Sequence, residues 1–221
     1  ATPLMTGVAS VSCGAGFVIA RMVSGEAFSW GVNSFAQLGH EDTNPRACPE
    51  KIKYFETIRM AEVACGHAFA IFKTIDDDLF ACGSNGGVGT KADGRMGVGR
   101  VSSTTEHNYL ARIPCSGLHD IVCGSTHGCA LTCEDRLVAW GHCVYSGHNR
   151  DVYEPMIVNR LAHLRWHKVS IGPGGYHTVA TTRSGKVYTW GHNRCGQLGW
   201  GTVGARSNYI HPVPAMATGL P

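Results

Sequence analysis

Histidine, cysteine and clustered carboxylates are the side chains here that could bind a metal or move protons, and the 221 residues hold 12 His and 10 Cys. A structural zinc site usually draws on Cys-x-x-Cys pairs, because four donors must converge on one small cation. No such pair occurs. His142-Cys143 with His148, and His192 with Cys195, come nearest, yet His142 and His192 each directly follow a Trp-Gly pair. They read as polar loop residues, and no metal ligand is expected. Cys129 and Cys133, four apart, read as one buried strand face rather than a chelating pair.

Other motifs fail on order or context. Gly83-Ser-Asn-Gly-Gly-Val-Gly89-Thr-Lys91 resembles a phosphate loop but ends Gly-Thr-Lys, where a nucleotide loop needs Gly-Lys before its hydroxyl residue. No helix pattern follows to aim amides at a phosphate. Asp76-Asp77-Asp78 lacks the Gly-spaced oxygen ligands of a calcium loop and reads as a solvated turn. No Ser/His/Asp or Cys/His set has independent support, so neither catalytic residues nor a cofactor are expected.

The elements that must position these residues come from a repeat. Val11-Ser-Cys-Gly14, Val63-Ala-Cys-Gly66, Ile121-Val-Cys-Gly124 and the weaker Ile171-Gly-Pro-Gly174 recur along the chain. Counting 17 residues on from the anchors Cys13, Cys65, Cys123 and Pro173 gives Trp30, Cys82, Trp140 and Trp190, each followed by Gly. The anchors lie 52, 58 and 50 residues apart. His127 and His177 share one repeat position with Phe17 and Phe69, so packing and hydrogen bonding, not acid–base work, are expected of them.

After each anchor an apolar run predicts a strand: Phe17 to Met22, Phe69 to Ile75, Cys129 to Cys133 and His177 to Thr182. Ser24-Gly25, Asp76-Asp77, Glu134-Asp135 and Ser184-Gly185 then supply residues that tolerate hairpin angles. A second strand ends at Trp30, Cys82, Trp140 or Trp190. With the anchor strand and one before the next anchor, each unit holds about four strands, the size of a propeller blade. Cys-Gly pairs suit a crowded axis, and the Trp residues suit the wedge between blades. Cys82 is expected to fill that wedge less well.

Composition narrows the function classes. Gly is 29 of 221 residues, about 13% and roughly twice ordinary usage, which favours short strands and turns. Hydrophobic residues at 43% and charged residues at 16% allow a core and argue against disorder. Net charge is +3 with no Lys/Arg block, so direct DNA binding has little electrostatic drive. No apolar run approaches the ~18 residues of a membrane helix, and no signal-peptide layout follows Ala1. The cysteines read as reduced, buried hydrophobes of an intracellular compartment: cytoplasm, nucleus or an organelle matrix reached by a lost leader.

The fourth unit, His177-Thr-Val-Ala180, Gly185-Lys-Val-Tyr-Thr-Trp-Gly191 and Asn193-Arg-Cys-Gly-Gln-Leu-Gly199-Trp-Gly201, resembles the repeat of the regulator of chromosome condensation family. Trp30-Gly-Val-Asn33 and Gln37-Leu-Gly39 repeat it, as do Cys123-Gly, His127, Ala130-Leu-Thr132 and Trp140-Gly. The second unit diverges most, with Phe69 for His and Gly94-Arg-Met-Gly-Val-Gly99 in its loop. The resemblance implies an all-β propeller and a seven-bladed ring, of which residues 1–221 show four units in one domain. The arc is therefore expected to be incomplete, with Ala1–Gly7 the tail of a preceding strand and Pro212–Pro221 the lead-in to a further unit.

The resemblance fixes function less tightly than fold. The leading expectation is a non-enzymatic platform that holds protein partners within a larger multi-subunit assembly. Guanine nucleotide exchange on a Ran-type small GTPase is the first alternative, although the family's β-wedge is not identifiable. A substrate-binding module of a ubiquitin ligase is the second, and chromatin association is a further family property. Plant light-sensing relatives cluster Trp on one face, whereas three of five Trp here are blade residues. Lys91, Arg95 and Arg100 in the long second-unit loop, with Arg150 and Trp200, are the residues expected to meet a partner, because that loop is expected to protrude.

Overall fold

The computed structural model describes residues 5–86, 92–100, 106–172, 174–201 and 210–217. Blade 1 comprises β1 (Val8–Cys13), β2 (Phe17–Met22), β3 (Ala27–Gly31) and β4 (Arg46–Lys51). Blade 2 comprises β5 (Met60–Cys65), β6 (Phe69–Thr74), β7 (Leu79–Ser84) and β8 (Glu106–Ile113). Blade 3 comprises β9 (Leu118–Cys123), β10 (His127–Thr132), β11 (Leu137–Gly141), the turn of helix α1 (Cys143–Ser146) and β12 (Val152–Ile157). Blade 4 comprises β13 (Trp166–Ser170), β14 (His177–Thr182), β15 (Val187–His192) and β16 (Ile210–Met216). Each blade is a four-stranded antiparallel meander with its strands in sequence order.

The predicted strands and hairpins form where expected. Gly25, Asp77, Asp135 and Gly185 take the positive φ angles that turn the second strand into the third, at 89°, 69°, 58° and 80°. Two expectations are corrected. Ile210–Met216 is the outer strand of blade 4, paired with β15, and not the lead-in to another unit. The described residues 5–7 form no strand; the Gly7 carbonyl instead accepts a hydrogen bond from Val23 N at 2.9 Å.

Inner strands of adjacent blades meet edge to edge, which explains Gly14, Gly66 and Gly124 of the first three anchors. A Cβ on Gly66 would sit 2.3 Å from the Phe69 ring and 2.7 Å from the Gly124 carbonyl oxygen; Gly124 meets the Gly175 carbonyl in the same way. Side chains of one inner strand hold the next: Ser12 Oγ accepts from Cys65 N at 2.9 Å, Glu62 Oε1 from Ile121 N at 2.8 Å, and Asp120 Oδ2 from Val169 N at 2.9 Å. This stitch satisfies backbone donors where a flat blade edge would otherwise leave them bare.

The cores lie between blades. One buried cluster joins Phe17, Ile19, Leu38 and Ile52 of blade 1 to Phe55, Phe72 and Cys82 of blade 2. A second joins Phe69 and Ile71 to Trp140 and Val152, and a third joins Leu131 and Val158 to Trp166 and Trp190. Cys82 is fully buried among these residues, so its wedge is filled by neighbours rather than left loose as expected. Of the ten cysteines, Cys65, Cys82, Cys123 and Cys129 are buried, while Cys13, Cys48, Cys133 and Cys195 are exposed. Buried, inert thiols therefore describe part of the set; burial pushes the Cys65 thiol up to about 12. Cys133 lies beyond the end of β10 and shares no buried face with Cys129. Among the described residues no helix is long and apolar enough to cross a membrane.

Candidate partner-binding face

The loops joining first to second strands, and third to fourth strands, emerge at one end of every blade. Their shapes follow from a buried asparagine two residues after the repeated Gly. Asn33 Oδ1 accepts from Leu38 N at 2.9 Å, Asn85 Oδ1 from Met96 N at 3.2 Å, and Asn193 Oδ1 from Leu198 N at 3.1 Å. Ser29 and Thr189 hydroxyls donate to the carbonyls of Leu38 and Leu198, both at 2.8 Å. Gln37 and Gln197 side chains accept from Phe35 N and Cys195 N, each at 2.9 Å. The Asn and Gln-Leu-Gly of the repeat thus fold the loop and plug it with a buried leucine. Blade 3 departs from this pattern because Cys143 stands at the asparagine position, and its loop winds into α1, with His142 as N-cap.

The long blade 2 loop does not protrude over its described part. Residues 92–100 lie across blade 3, where Gly94 packs so closely that a Cβ would meet the Val152 carbonyl oxygen at 2.7 Å. Gly99 N donates to the Tyr153 carbonyl oxygen at 2.9 Å, and Met96 is fully buried. Arg95 is corrected accordingly: it is 8% exposed, and its Nε donates to Asp93 Oδ1 at 2.9 Å. The side chain braces the loop and is not displayed to a partner. Lys91 lies outside the described residues.

Packing this loop onto blade 3 brings together two nominated residues that are 50 positions apart. Arg100 and Arg150 line one open groove of about 600 Å³ with Asp151, Tyr153, Glu154 and Met156. The Arg100 guanidinium lies 5.0 Å from the centroid of the Tyr153 ring, an arrangement that holds an exposed cation in place. Both arginines are exposed. Trp200 lies outside this groove; its Nε1 donates to Thr189 Oγ1 at 2.8 Å and its ring meets His211 edge-on, with centroids 4.5 Å apart. The blade 1 loop holds a smaller cavity of about 330 Å³, in which Arg46 is paired with both Asp42 and Glu50. Arg46 Nη2 reaches Asp42 at 2.8 Å, and this guanidinium holds the Asp42 carboxyl down to about 2.

Most of the remaining candidate groups serve the fold. His127 is fully buried, its Nε2 lies 2.8 Å from Thr178 Oγ1 of blade 4, and burial lowers it to about 3. Asp77 is not merely solvated: it pairs with Lys73 at 2.7 Å and accepts from Gly117 N. His148 Nε2 lies 3.2 Å from the Ala139 carbonyl oxygen, and His192 Nδ1 lies 2.8 Å from Gln197 Nε2. His142 and Cys143 converge on Asp151 instead of on His148. Sequence reasoning missed Asp151, Tyr153 and Glu154, because nothing local marks the start of β12 as a groove wall.

Comparisons with known proteins agree with this architecture. The model of the Regulator of chromosome condensation (RCC1) repeat matches residues 24–72 and 184–220, and a second model of that repeat matches 166–197. The chain is similar to the ultraviolet-B receptor UVR8 of Arabidopsis thaliana, 33% identical over 201 residues, covering 88% of this chain and 43% of the receptor. It is 30% identical over 220 residues to the E3 ubiquitin-protein ligase HERC2 of Homo sapiens, covering 96% of this chain and 4% of the ligase. The chain thus spans less than half the length of these two relatives. Human WBSCR16 superposes with a TM-score of 0.78 at 20% identity, covering 97% of this chain and 54% of that one. Prp20p from Saccharomyces cerevisiae, whose structure was described with its binding to Gsp1p and histones, gives 0.75 at 20% identity, covering 95% and 50%.

Proposed function

Because the chain belongs to the regulator of chromosome condensation repeat family, we propose that it is a non-enzymatic platform that docks a protein partner through the groove between blades 2 and 3. The observation that carries this reading is the convergence of Arg100 and Arg150 with Tyr153 and Glu154 on rigid strands and loops. Arginine and tyrosine side by side form the kind of anchor that dominates protein interfaces. Acidic Asp151 and Glu154 beside the cations favour a partner segment that carries both signs of charge. Trp200 is a secondary candidate on the same loop-bearing end, and Lys91 is a further candidate from its place in the sequence. The same reading places the four blades in a larger, seven-bladed ring and in a reducing intracellular compartment.

A substrate-binding role within a ubiquitin ligase is the second reading, favoured by the match to HERC2 along nearly the whole of this chain. Exchange on a Ran-type GTPase, and chromatin association, are tested by the same experiment. Tagged wild type and the double variant Arg100→Glu with Arg150→Glu are recovered from their native cells, and stoichiometric partners are identified. A matched control reverses Arg160 and Lys186 at the opposite end of the blades. Loss of the partner from the groove variant alone supports the platform. Equal recovery from both variants overturns the groove as the contact. A small GTPase released by nucleotide would replace the platform with exchange, and a ligase subunit would select the second reading.

A further inference from the structure

We propose that His142, Cys143 and Asp151 form a binding site for one divalent transition-metal ion of the zinc class. A ring nitrogen of His142, the Cys143 sulfur and a carboxylate oxygen of Asp151 all lie within 4.8 Å of one another. Cys143 Sγ is 3.9 Å from His142 Nδ1. Tetrahedral zinc, with bonds of about 2.3 Å to sulfur and about 2.0 Å to nitrogen, sets that separation at roughly 3.5 Å. The nitrogen and sulfur therefore need to close by only a few tenths of an ångström, and the Asp151 oxygen starts within 4.8 Å of both. A nitrogen, a sulfur and an oxygen together select a borderline-soft cation over magnesium or calcium.

The other blades act as an internal control. In blade 1 the equivalent loop places Asn33 against Asp42, and Asn33 Nδ2 donates to Asp42 Oδ1 at 3.2 Å. In blade 3 a thiol stands where that carboxamide would be and faces Asp151, which immediately precedes the outer strand, whereas Asp42 lies four residues before its own. A carboxamide keeps its protons, whereas a thiol releases its proton to a metal. The substitution turns a self-satisfied pair into two groups that can both bind a cation as anions, and His142 precedes them where blade 1 has Val32, blade 2 has Ser84 and blade 4 has His192 beside an asparagine.

The donors are also held in place, as a metal site requires. His142 N donates to the Thr126 carbonyl oxygen at 2.9 Å, and Cys143 N donates to Asp151 Oδ1 at 2.9 Å. Trp190 of blade 4 donates to the Tyr145 carbonyl oxygen at 3.0 Å, which clamps α1 from the neighbouring blade. The competing bond, Val144 N to His142 Nδ1 at 3.3 Å, is longer than an ordinary hydrogen bond and yields readily. Three protein ligands leave a fourth position for water. Binding displaces the thiol proton to the buffer and changes no oxidation state. The site stands whether or not the groove docks a partner, although Asp151 belongs to both.

The test uses the intact chain, stripped with a chelator and titrated with zinc, and with cobalt(II) as a spectroscopic probe. One equivalent of zinc, a cobalt–thiolate charge-transfer band and zinc protection of Cys143 from alkylation, mapped by mass spectrometry, are expected. Cys143→Ser loses the band, and Asp151→Asn, which keeps an oxygen for Cys143 N, weakens zinc binding by more than about tenfold. Cys48→Ser, at an exposed thiol elsewhere, leaves binding unchanged. If Cys143→Ser fails to fold, Asp151→Asn and the alkylation map decide. No stoichiometric zinc at micromolar concentration, zinc retained by both site variants, or Cys143 alkylated equally with and without zinc would overturn the site.

Discussion

Trp140 donates its indole N–H to the carbonyl oxygen of Arg95 at 2.9 Å, across the boundary between blades 2 and 3. Trp190 does the same to Tyr145 at 3.0 Å, and the Cys82 thiol reaches the Gln37 carbonyl at 3.4 Å. Donor and acceptor are 45 residues apart in all three pairs, although the repeats themselves differ in length. The repeated position is thus a latch to the preceding blade's loop, as well as a wedge.

Trp140→Phe should keep most of the packing but lose the latch, costing about 1–2 kcal/mol, because the Arg95 carbonyl is left unpaired in a buried place. Cys82→Trp, which restores the residue seen in the other units, should destabilise by roughly 1–3 kcal/mol, since the surrounding core is already closed. Urea melts of both variants against wild type check this. A stabilised Cys82→Trp would show that the blade 1–2 wedge is underfilled.

His127 makes stability depend on pH. Its folded value, lowered to about 3 chiefly by burial, lies below that of an unfolded histidine, so only the unfolded chain takes up the proton between these limits. Its contribution is intact above pH 6.5 and is lost as pH falls toward 3, at about 1.4 kcal/mol per pH unit once well below 6.5. His127→Phe, the residue type at Phe17 and Phe69, should flatten the fall in urea midpoint between pH 7 and 5. An unchanged slope would place the titration on other histidines.

Gly66→Ala should destabilise severely, by more than about 3 kcal/mol, because its Cβ meets an aromatic ring and a neighbouring blade's carbonyl. Gly172→Ala, with nothing within 4 Å of its Cβ, should change thermal stability by less than about 0.5 kcal/mol. Comparable melting of the two variants would contradict the inner-strand contact.

Arg95→Ala should cost roughly 3 kcal/mol, since it leaves the Asp93 carboxylate unpaired in a mostly buried setting. Arg100→Ala should cost less than about 1 kcal/mol, because it removes one exposed cation from the face of Tyr153. Thermal melts separate the two. Equal costs would mean that Arg100 braces the loop as Arg95 does.

Much of the fold was legible because it is local. Strand, turn and strand are encoded within about 20 residues by apolar runs and by Gly or Asp at positions of positive φ, and the fixed interval from anchor to Trp or Cys marks each blade. The roles of Asn33, Asn193, Gln37 and Gln197 in folding the loops were visible only as a recurring motif. The bonds that their side-chain oxygens accept reach no more than five residues, but which atoms pair depends on the closed loop.

The sequence by itself determined four repeated blades, their hairpins and the placing of Trp140 and Trp190 between blades. Tertiary structure alone decided that Arg95 is buried while Arg100 meets Arg150, and that His142 and Cys143 face Asp151 rather than His148. The reason is the range of the contacts. Periodicity records what a strand's own hydrogen bonds require, whereas the course of residues 92–100 is set by Gly94 and Gly99 against a strand more than 50 residues away. Such a contact leaves no spacing to read until the blades are stacked.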